Sequence, residues 1–537
     1  MNSSYEAASP AIHAVAPRGD VRQPDGATDT ERWWLDAAYF PGGRADVGYL
    51  PGTEGEIAAI VRAHTPVLVV GAQSSLTGGA TPFGGAVIAT ERLDDIEVDA
   101  VARTVRCGAG AVLSAVQAAC REQGLFVAPV PTYDGAFAGG AASTNAAGAA
   151  TFKYGAMRRA VLSLRVLLAD GSVLACERGA VRAHPEGWFD VVGLDGTTTR
   201  VPVPTYTLPD VPKCAAGYFA APGMDLVDLF VGSEGTLGVI TEVTFTLEPL
   251  PLDSVVCWLP VADEPRGLEI AGLLRAAARA TWASNDPAGL DVPSIEHVDR
   301  RCLELLVEEG HDRAQGIPID VNDALVLIFC IELHAPLSSD EALDQLAEPE
   351  EHPGPLARLM DLLGDDAERL EIALPGEQRQ AAAFHALREA VPMCANHRVR
   401  DVRQSDARVH KVGGDLIVPF EHFAEALAVY REEFSRRGLD HAIWGHVSDG
   451  NVHPNVLPRN HADCEAGEAA LLAMGERVIA LGGSPLAEHG VGRHPVKQRL
   501  LRSLYGDEGI AQMRAVKRAL DPEGRLAPGV LFPWQAD

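Results

Sequence analysis

His446 and His453 lie on either side of an Asp-Gly turn signal at residues 449–450. If that dipeptide formed a two-residue hairpin turn, the two histidines would be cross-strand partners with Cβ atoms about 5 Å apart. Further along the chain, Glu488 and His489 offer a carboxylate and a third imidazole. Two histidines and a carboxylate can bind Zn²⁺, Mn²⁺ or Fe²⁺ and leave positions open for a substrate. The alternative is a structural role, because an isolated histidine is more often a hydrogen-bonded part of a core.

Three glycine-rich segments also carry chemical meaning, at residues 70–82, 139–148 and 232–241. Closely spaced small residues let backbone N–H groups converge on an anion, and serines and threonines add hydroxyl donors, so such loops suit a pyrophosphate. Each segment alone could equally be a surface turn. The three together favour a large dinucleotide cofactor.

A fourth segment, residues 108–113, imitates the Rossmann dinucleotide fingerprint. It follows a strand-like run and precedes a helical one, but Leu113 stands at its third glycine position. Close packing between helix and strand requires Gly or Ala there. We therefore do not expect NAD to bind at this segment.

Local patterns predict the elements that position these residues. Residues 53–56 have the form of a capping box that begins an amphipathic helix. Residues 66–70 have the pattern of a short buried strand that leads into the first glycine-rich segment, and residues 166–174 that of a hairpin. Residues 423–434 predict an amphipathic helix that ends at Gly438.

Composition excludes several classes of function. The 537 residues include 45 Lys+Arg and 74 Asp+Glu, a net charge of −29, which argues against binding nucleic acid or an anionic membrane surface. The longest apolar runs reach about half of the ~20 residues that a membrane span needs, and we expect no signal peptide. Nine cysteines without a CxxC pair are typical of reduced thiols. We therefore expect a cytoplasmic protein, or one peripheral to the inner membrane, without a transmembrane segment.

Taken together, these motifs resemble those of the FAD-linked oxidases of the vanillyl-alcohol-oxidase/PCMH type, in the branch of D-lactate, glycolate and D-2-hydroxyglutarate dehydrogenases. Residues 153–155, 293–301 and 518–524 add to the resemblance, which covers about residues 40–535. It implies an α+β fold with a two-subdomain PCMH-type FAD-binding domain, an α+β cap domain and a C-terminal return segment. The predicted parts are a mobile N-terminal tail at 1–30, the FAD-binding domain at 31–250, the cap or substrate domain at 251–480, and a C-terminal segment at 481–537 that returns to the FAD-binding domain.

The resemblance implies FAD at the glycine-rich segments. Relatives with covalent flavin often use a histidine in the first segment, whereas residues 73–75 here are Gln-Ser-Ser, so non-covalent FAD is expected. The family ending Leu-Asn-Pro-Gly-Lys is replaced by Leu-Ala-Pro-Gly-Val at 526–530, so a flavin contact by that asparagine is not expected. The implied cofactor-binding residues are Gly71, Gln73, Ser74, Ser75, Leu76, Gly79, Gly139, Gly140, Ser143, Asn145, Gly148 and Ile240.

The resemblance also assigns roles to the histidines and to several polar residues. The implied metal is divalent, with Zn²⁺ or Mn²⁺ expected, and an arginine can hold a substrate carboxylate bidentately. Ser448 and Ala487 replace glycines of the family motifs and are still small. The matching residues are the metal ligands His446, His453 and Glu488, the catalytic base His489, and the substrate-binding residues Arg388, Lys411 and Asn455.

The implied function is FAD-dependent oxidation of a D-2-hydroxy acid, of the D-lactate, glycolate or D-2-hydroxyglutarate type, to the 2-oxo acid. The metal would polarise the hydroxyl, His489 would accept its proton, and hydride would pass to the flavin. A quinone, a flavoprotein carrier or oxygen would then accept the electrons. Two alternatives stay open: an FAD-dependent alkyl-transferring synthase of ether-lipid type, and a non-catalytic FAD-binding subunit of a larger oxidase. Synthases of that type carry a run of histidines at position 488–489, so the single His489 favours the dehydrogenase.

Overall fold

The computed structural model describes residues 10–24 and 29–534, which form a mixed α+β fold. Residues up to 250 are called the N-terminal part, residues 251–480 the central part, and the residues after 480 the C-terminal segment. The elements of the N-terminal part are β1 (Ile12–His13), β2 (Val47–Tyr49), α1 (Glu54–Ala63), β3 (Val67–Val70), β4 (Ala86–Ala89), β5 (Ile96–Asp99), β6 (Thr104–Gly108), α2 (Leu113–Arg121), β7 (Leu125–Phe126), α3 (Ala138–Ser143), α4 (Thr151–Tyr154), α5 (Met157–Ala160), β8 (Val161–Leu167), β9 (Val173–Glu177), β10 (Trp188–Val192), β11 (Thr198–Pro202), α6 (Leu226–Phe230), β12 (Val239–Thr246) and β13 (Glu248–Pro249).

Two sheets build most of the N-terminal part. β2, β4 and β3 form a parallel sheet, and the buried Ile57, Ile60 and Val61 of α1 pack in its core. Thr53 caps α1, as predicted, by accepting a hydrogen bond from the Glu56 N–H. The second sheet has the order β5-β6-β12-β8-β9 and is antiparallel, with β8 and β9 forming the predicted hairpin. Because β6 is antiparallel to its neighbours, segment 108–113 lacks the parallel βαβ context of a Rossmann site.

The beginning of the chain differs from the predicted mobile tail. β1 pairs in parallel with β10, which in turn pairs with β11, and Ile12 is buried in that contact. A strand of two residues has no periodicity of its own, and its partner lies far along the sequence, so local patterns do not reveal it. The rest of the predicted tail, at residues 1–9 and 25–28, lies outside the described residues.

A seven-stranded sheet, ordered β17-β14-β16-β15-β19-β20-β18, forms the centre of the second part. Its strand pairs are antiparallel. The predicted amphipathic helix at 423–434 is present as α13 (Phe423–Ser435). Another helix, α12 (Gln378–Arg403), continues through Pro392. The remaining elements are β14 (Asp253–Val261), α7 (Glu264–Ser284), β15 (Ile295–Asp299), α8 (Arg300–Glu308), α9 (His311–Gln315), β16 (Leu325–Leu333), α10 (Ser339–Ala347), α11 (Pro355–Leu363), β17 (Glu371–Ala373), α12 (Gln378–Arg403), β18 (Leu416–Ile417), α13 (Phe423–Ser435), β19 (His441–His446), β20 (Asn451–Val456), α14 (His461–Ala480) and α15 (Pro495–Leu520).

The C-terminal segment returns to the N-terminal part. The Val67 N–H donates to the Arg525 carbonyl at 2.7 Å, and the Ala527 N–H donates to the Val67 carbonyl at 2.8 Å. Buried Lys517 of α15 donates to the carbonyls of Thr236 and Leu526, each at 2.8 Å. These bonds fix the end of the chain against the parallel sheet. Among the described residues, no helix has the length and apolarity needed to cross a membrane.

Candidate active site

His446 ends β19 and His453 lies in β20, and both are buried. They are not cross-strand partners, so that prediction is wrong: β20 pairs His453 with Trp444, and His446 pairs with Glu296 of β15. The link between the strands is a short 3₁₀ turn, Val447–Asp449, followed by Gly450 in the left-handed region (φ +81°). This turn is longer than the two-residue hairpin and shifts the register. The two imidazoles are nevertheless neighbours, in an edge-to-face arrangement with ring centroids 5.5 Å apart.

Glu488 lies at the centre of the predicted histidines, in the loop between α14 and α15. Its Oε1 lies 3.2 Å from His453 Nε2, 3.6 Å from His446 Nε2 and 3.4 Å from His489 Nε2. Two atoms bound about 2.1 Å from one tetrahedral ion lie about 3.4 Å apart. The donor types and the distances from Glu488 are compatible with a divalent metal. The side chains whose ligand atoms lie within 4.8 Å of one another are, however, Asp415, His453, Glu488 and His489, so His446 lies farther from this group than predicted. The ring of His489 stacks on that of His453 at 4.9 Å.

Lys213 was not identified from the sequence, yet it belongs to this group. Its fully buried Nζ lies 2.8 Å from Glu488 Oε2 and 3.2 Å from Asp449 Oδ2. Burial opposes the charged form, but these carboxylates raise the pKa of Lys213 above its ordinary value. Burial likewise opposes ionisation of Glu488, while Lys213 and His446 lower its pKa well below its ordinary value. Glu488 is therefore a carboxylate, the form that a metal ligand requires.

Asp415, directly before β18, holds the backbone of the Glu488 loop. Its Oδ2 accepts hydrogen bonds from the N–H groups of Glu488 at 2.8 Å and His489 at 2.7 Å. Burial would raise the pKa of Asp415, but His489 and Lys497 lower it to about 2. The sequence indicated Asp415 only as the one carboxylate within residues 409–419. Asp415 thus orients two of the predicted site residues.

Arg388 of α12 is connected to the site by a hydrogen bond to Glu296. Its Nη2 donates to Glu296 Oε1 at 3.0 Å, and the same oxygen lies 2.9 Å from His446 Nδ1. Burial opposes the charge of Glu296, but Arg388 and His446 lower its pKa below the ordinary range. A carboxylate behind a metal-binding histidine fixes the tautomer and orientation of the ring. Glu296 therefore links the predicted substrate arginine to a predicted metal ligand.

Among the described residues, two lysines near the site have no hydrogen-bond acceptor for their ammonium groups, although Asp415, Glu234 and Glu488 act on Lys497 through their charges. Within residues 10–24 and 29–534, no acceptor contacts the Nζ of Lys411 or the buried Nζ of Lys497. Burial and Lys497 lower the pKa of Lys411 to about 8. Lys497, on α15, was missed by sequence analysis. The Asn455 amide, in contrast, is engaged: its Nδ2 donates to the His453 carbonyl at 2.8 Å, and its Oδ1 would lie 2.4 Å from a Cβ at Gly413.

The first glycine-rich segment forms a loop after β3. Gln73 has a left-handed backbone (φ +53°), and its side-chain amide donates to the Trp33 carbonyl at 2.8 Å, so this side chain shapes the loop. Asp36 Oδ2 accepts from the Gly78 N–H at 2.7 Å. Ser74 is exposed and Ser75, Leu76, Gly71 and Gly79 are partly exposed, which leaves their backbones accessible to a ligand.

The second segment differs from the predicted loop because its first residues form the helix α3. Gly139 packs so closely that a Cβ there would lie 2.5 Å from that of Ala109, whereas a Cβ at Gly140 would meet nothing within 4 Å. A segment that packs tightly on the Gly139 side and is open on the Gly140 side is suited to contact with a cofactor. Asn145 Oδ1 accepts from the Arg158 N–H at 2.9 Å and Gly148 is buried, so both support the turn. Ser143 is partly buried in α3, and Ile240 is buried in β12.

Hydrogen bonds join all three glycine-rich segments to the loop that carries Glu488 and His489. In the third segment, the Glu234 N–H donates to the Ser143 carbonyl of the second, at 2.8 Å. The Glu234 carboxylate accepts from the N–H groups of Val491 and Gly492, each at 2.8 Å. The Arg493 N–H donates to the Thr77 carbonyl of the first segment at 2.9 Å. The cofactor segments and the catalytic candidates therefore form one site.

Comparison with known proteins identifies the domains of the chain. Residues 45–177 match the family model of the FAD binding domain, and residues 274–531 match that of the C-terminal domain of FAD linked oxidases. The chain is 27% identical to D-lactate dehydrogenase of Archaeoglobus fulgidus, over 89% of each chain. It is 26% identical to mitochondrial D-2-hydroxyglutarate dehydrogenase of Bos taurus, over 98% of this chain and 83% of the other.

The chain is also similar to a third curated protein and to a solved structure. The glycolate oxidase subunit GlcD of Bacillus subtilis is 27% identical over 88% of this chain and 85% of its own. Among solved structures, alkyldihydroxyacetonephosphate synthase aligns with a TM-score of 0.53 at 14% identity, over 90% of this chain and 77% of that one, and thus shares the fold. The first family model covers the first two glycine-rich segments and the second covers the histidine cluster, whereas the third glycine-rich segment lies between the two models. The chain therefore belongs to the FAD-linked oxidoreductases.

Proposed function

We propose that the chain is an FAD-dependent dehydrogenase that oxidises a D-2-hydroxy acid to the 2-oxo acid. The observation that carries the proposal is the loop at 488–493, which is bonded to the cofactor segments through Glu234 and Thr77 and to the central sheet through Asp415. This arrangement brings the histidines close to the expected flavin. The relatives named D-lactate, glycolate oxidase and D-2-hydroxyglutarate dehydrogenases support the substrate class.

The cations of the site are proposed to bind the substrate carboxylate. Lys411 and Lys497 have no acceptor within the described chain, so a carboxylate there would neutralise buried charge. Arg388 already shares Glu296 with His446 and retains donors for a second, bidentate partner. Asn455 of β20, which donates to the His453 carbonyl, is proposed as a further substrate contact.

His489 is proposed as the general base for the substrate hydroxyl. Its ring is only about one quarter exposed, and Asp415 fixes its backbone. When bound, a metal held by His446, His453 and Glu488 would supply a Lewis acid for the hydroxyl, and FAD would supply the acceptor of the Cα hydride. Removal of one proton and one hydride converts the hydroxy acid to the oxo acid. A quinone, a flavoprotein carrier or oxygen is the proposed final acceptor of the electrons.

Anaerobic flavin reduction tests this function. The purified protein should be yellow, and D-2-hydroxy acids from a panel of D and L enantiomers should bleach its visible absorbance while the L forms do not. Glu488→Gln should bind the flavin but resist bleaching by the same acids. A protein that binds FAD and is bleached by none of the panel would refute the proposed reaction.

We further propose that FAD is bound without a covalent bond. Residues 73–75 offer no histidine, and the Gln73 side chain is committed to the Trp33 and Ala80 carbonyls. Acid precipitation should therefore release intact FAD into the supernatant, where chromatography identifies it. Flavin that remains with the precipitate would show an attachment elsewhere in the chain.

A further inference from the structure

A second group of metal-ligating side chains lies outside the catalytic candidates, at His410, His461, Cys464 and Glu468. One ligand atom from each of the first three lies within 4.8 Å of the others. Glu468 Oε1 lies 3.0 Å from His410 Nε2. His410, His461 and Cys464 therefore bring nitrogen and sulfur donors to one place, and Glu468 adds an oxygen donor beside His410.

The helix α14 supplies three of the four residues. His461, Cys464 and Glu468 are separated by three and four positions, so they lie on one face of the helix. His410 comes from the segment between α12 and β18, directly before Lys411. The Cys464 thiol contacts the His410 carbonyl at 3.4 Å, which places the segment against the helix.

In His410 one nitrogen faces a carboxylate, and in His461 one nitrogen has no partner within the described chain. Nδ1 of His410 lies 3.0 Å from the Arg408 carbonyl, to which it can only donate. In the neutral ring Nε2 then carries a lone pair, and it faces the Glu468 carboxylate. Two acceptors at 3.0 Å require a proton or a cation between them. Within the described chain, Nδ1 of His461 is buried without a hydrogen-bond partner.

We propose that His410, His461, Cys464 and Glu468 bind a zinc-type divalent ion. Zn²⁺ accepts this mixture of donors in a tetrahedral site, and a site closed by four protein ligands is structural. The bond from His410 Nδ1 to a carbonyl is the outer-shell contact that metal-binding histidines usually make. The ion would displace the thiol proton of Cys464 and replace the proton that otherwise joins His410 to Glu468.

An ion at this site would fix the segment that leads into Lys411. Without it, the segment is held to α14 by the His410–Glu468 contact and the Cys464 thiol. Loss of the ion should lower the melting temperature of the protein and raise the KM of a carboxylate substrate. None of the four residues belongs to the catalytic group, so the metal site stands independently of the proposed reaction, whereas the expected rise in KM rests on the proposed function.

Cobalt substitution tests the site, because a tetrahedral Co²⁺ ion with a thiolate ligand absorbs intensely in red light, where oxidised flavin does not. Full-length flavoprotein stripped of metal and titrated with Co²⁺ should develop these bands together with thiolate-to-cobalt charge transfer. Cys464→Ser should abolish the charge transfer, whereas Glu488→Gln should retain it. Cys330→Ser, which alters a partly buried cysteine outside both groups, is the matched control and should behave like the wild type.

Metal content provides the second measurement. The Zn²⁺ bound per chain should fall by one equivalent in His461→Ala and in Cys464→Ser, with the flavin spectrum retained as evidence of folding. If either variant fails to fold, His410→Gln provides the same comparison. Absence of a thiolate–cobalt band in folded wild type, or its persistence in Cys464→Ser, would overturn the proposal and leave a protonated His410–Glu468 ion pair.

Discussion

His489 reaches two carboxylates with its two ring nitrogens: Nε2 lies 3.4 Å from Glu488 Oε1, and Nδ1 lies 3.6 Å from Asp415 Oδ2. If the ring removes the substrate proton, His489→Gln should lower kcat by a factor of about 10² to 10⁴. Metal content and flavin absorbance should be unchanged, since the assigned ligand is Glu488. Stopped-flow measurement of flavin reduction reports the loss directly.

The matched control for His489 is His422→Gln, a substitution at a histidine whose side chain is 42% exposed and outside the site. It should leave the rate of flavin reduction within about twofold of wild type, as expected for a surface change. Reduction at a near wild-type rate in His489→Gln would remove this residue from the proton transfer.

The lowered pKa of Lys411 predicts that capture of a carboxylate substrate weakens at basic pH. Burial and Lys497 lower its pKa to about 8, so the free enzyme loses this positive charge as the pH rises through that value. The kcat/KM for a carboxylate substrate should fall on the basic side, because kcat/KM reports the groups of the free enzyme. Lys411→Arg keeps its charge and should move the fall to higher pH, whereas Lys411→Met should lower kcat/KM about 10- to 100-fold at neutral pH. An unchanged basic limb in Lys411→Arg would contradict this assignment.

At the scale of elements, Glu54 joins α1, which packs against the parallel sheet, to the antiparallel sheet of the N-terminal part. Its carboxylate accepts from Arg165 of β8 through two bonds of 2.7 Å and from Thr241 of β12 at 2.8 Å. Burial would raise the pKa of Glu54, but these donors and the Arg18 N–H lower it below its ordinary value. The bonds therefore stabilise the fold fully above pH about 4.5, and this stabilisation is lost as the pH falls through the lowered pKa.

Glu54→Gln should destabilise the protein by about 3 kcal/mol at neutral pH, because it leaves the Arg165 charge without its buried partner. Glu91→Gln breaks an exposed pair with Arg32, in which both side chains are at least 40% exposed, and should cost about 0–1 kcal/mol. Denaturant unfolding followed by flavin fluorescence compares the two. Equal destabilisation by both changes would show that the Glu54 contacts do not join α1 to the antiparallel sheet.

Elements whose signal is local were predictable from the sequence. The capped helix α1, the hairpin of β8 and β9, and the amphipathic helix α13 each follow from residues within one short window. The turn between β19 and β20 was not, because an Asp-Gly pair is compatible with several turn lengths and only the neighbouring strand β15 fixes the register. Helix α3 was also missed, since glycine and alanine alternate there without an apolar period.

The site was predictable only where a motif exists. His446, His453, Glu488 and His489 lie in recognisable short motifs and are together in the structure. Lys213 lies 275 positions from Glu488, and its surrounding residues carry no pattern that points to a site. Such a partner is set by the packing of distant segments, which a single sequence does not reveal.

At the scale of the whole molecule, the glycine-rich cofactor segments and the histidine cluster lie on separate hydrophobic cores. The core of the N-terminal part includes Val70, Ala141 and Ile240 next to the glycine-rich segments, and it extends into the C-terminal segment. The core of the central part lies under the strands that carry the histidines. The loop at 488–493 is bonded to both, and Lys153 and Lys213 of the N-terminal part also form ion pairs with carboxylates of the central part. Because the cofactor segments and the proposed metal ligands lie on different cores, cofactor binding and metal binding should be separable.

Metal removal tests this separation. Exhaustive dialysis against a strong chelator should abolish substrate-dependent flavin reduction while the visible flavin absorbance stays with the protein, because the cofactor segments do not include the metal ligands. His446→Ala should reproduce the chelated state, and Zn²⁺ or Mn²⁺ should restore activity to the dialysed wild type but not to the variant. Repeating the dialysis on Cys464→Ser excludes a contribution from the second proposed ion. Full activity in metal-free protein would instead leave His446, His453 and Glu488 as direct hydrogen-bond partners of the substrate, and loss of flavin on dialysis would show that the two groups are coupled through the 488–493 loop.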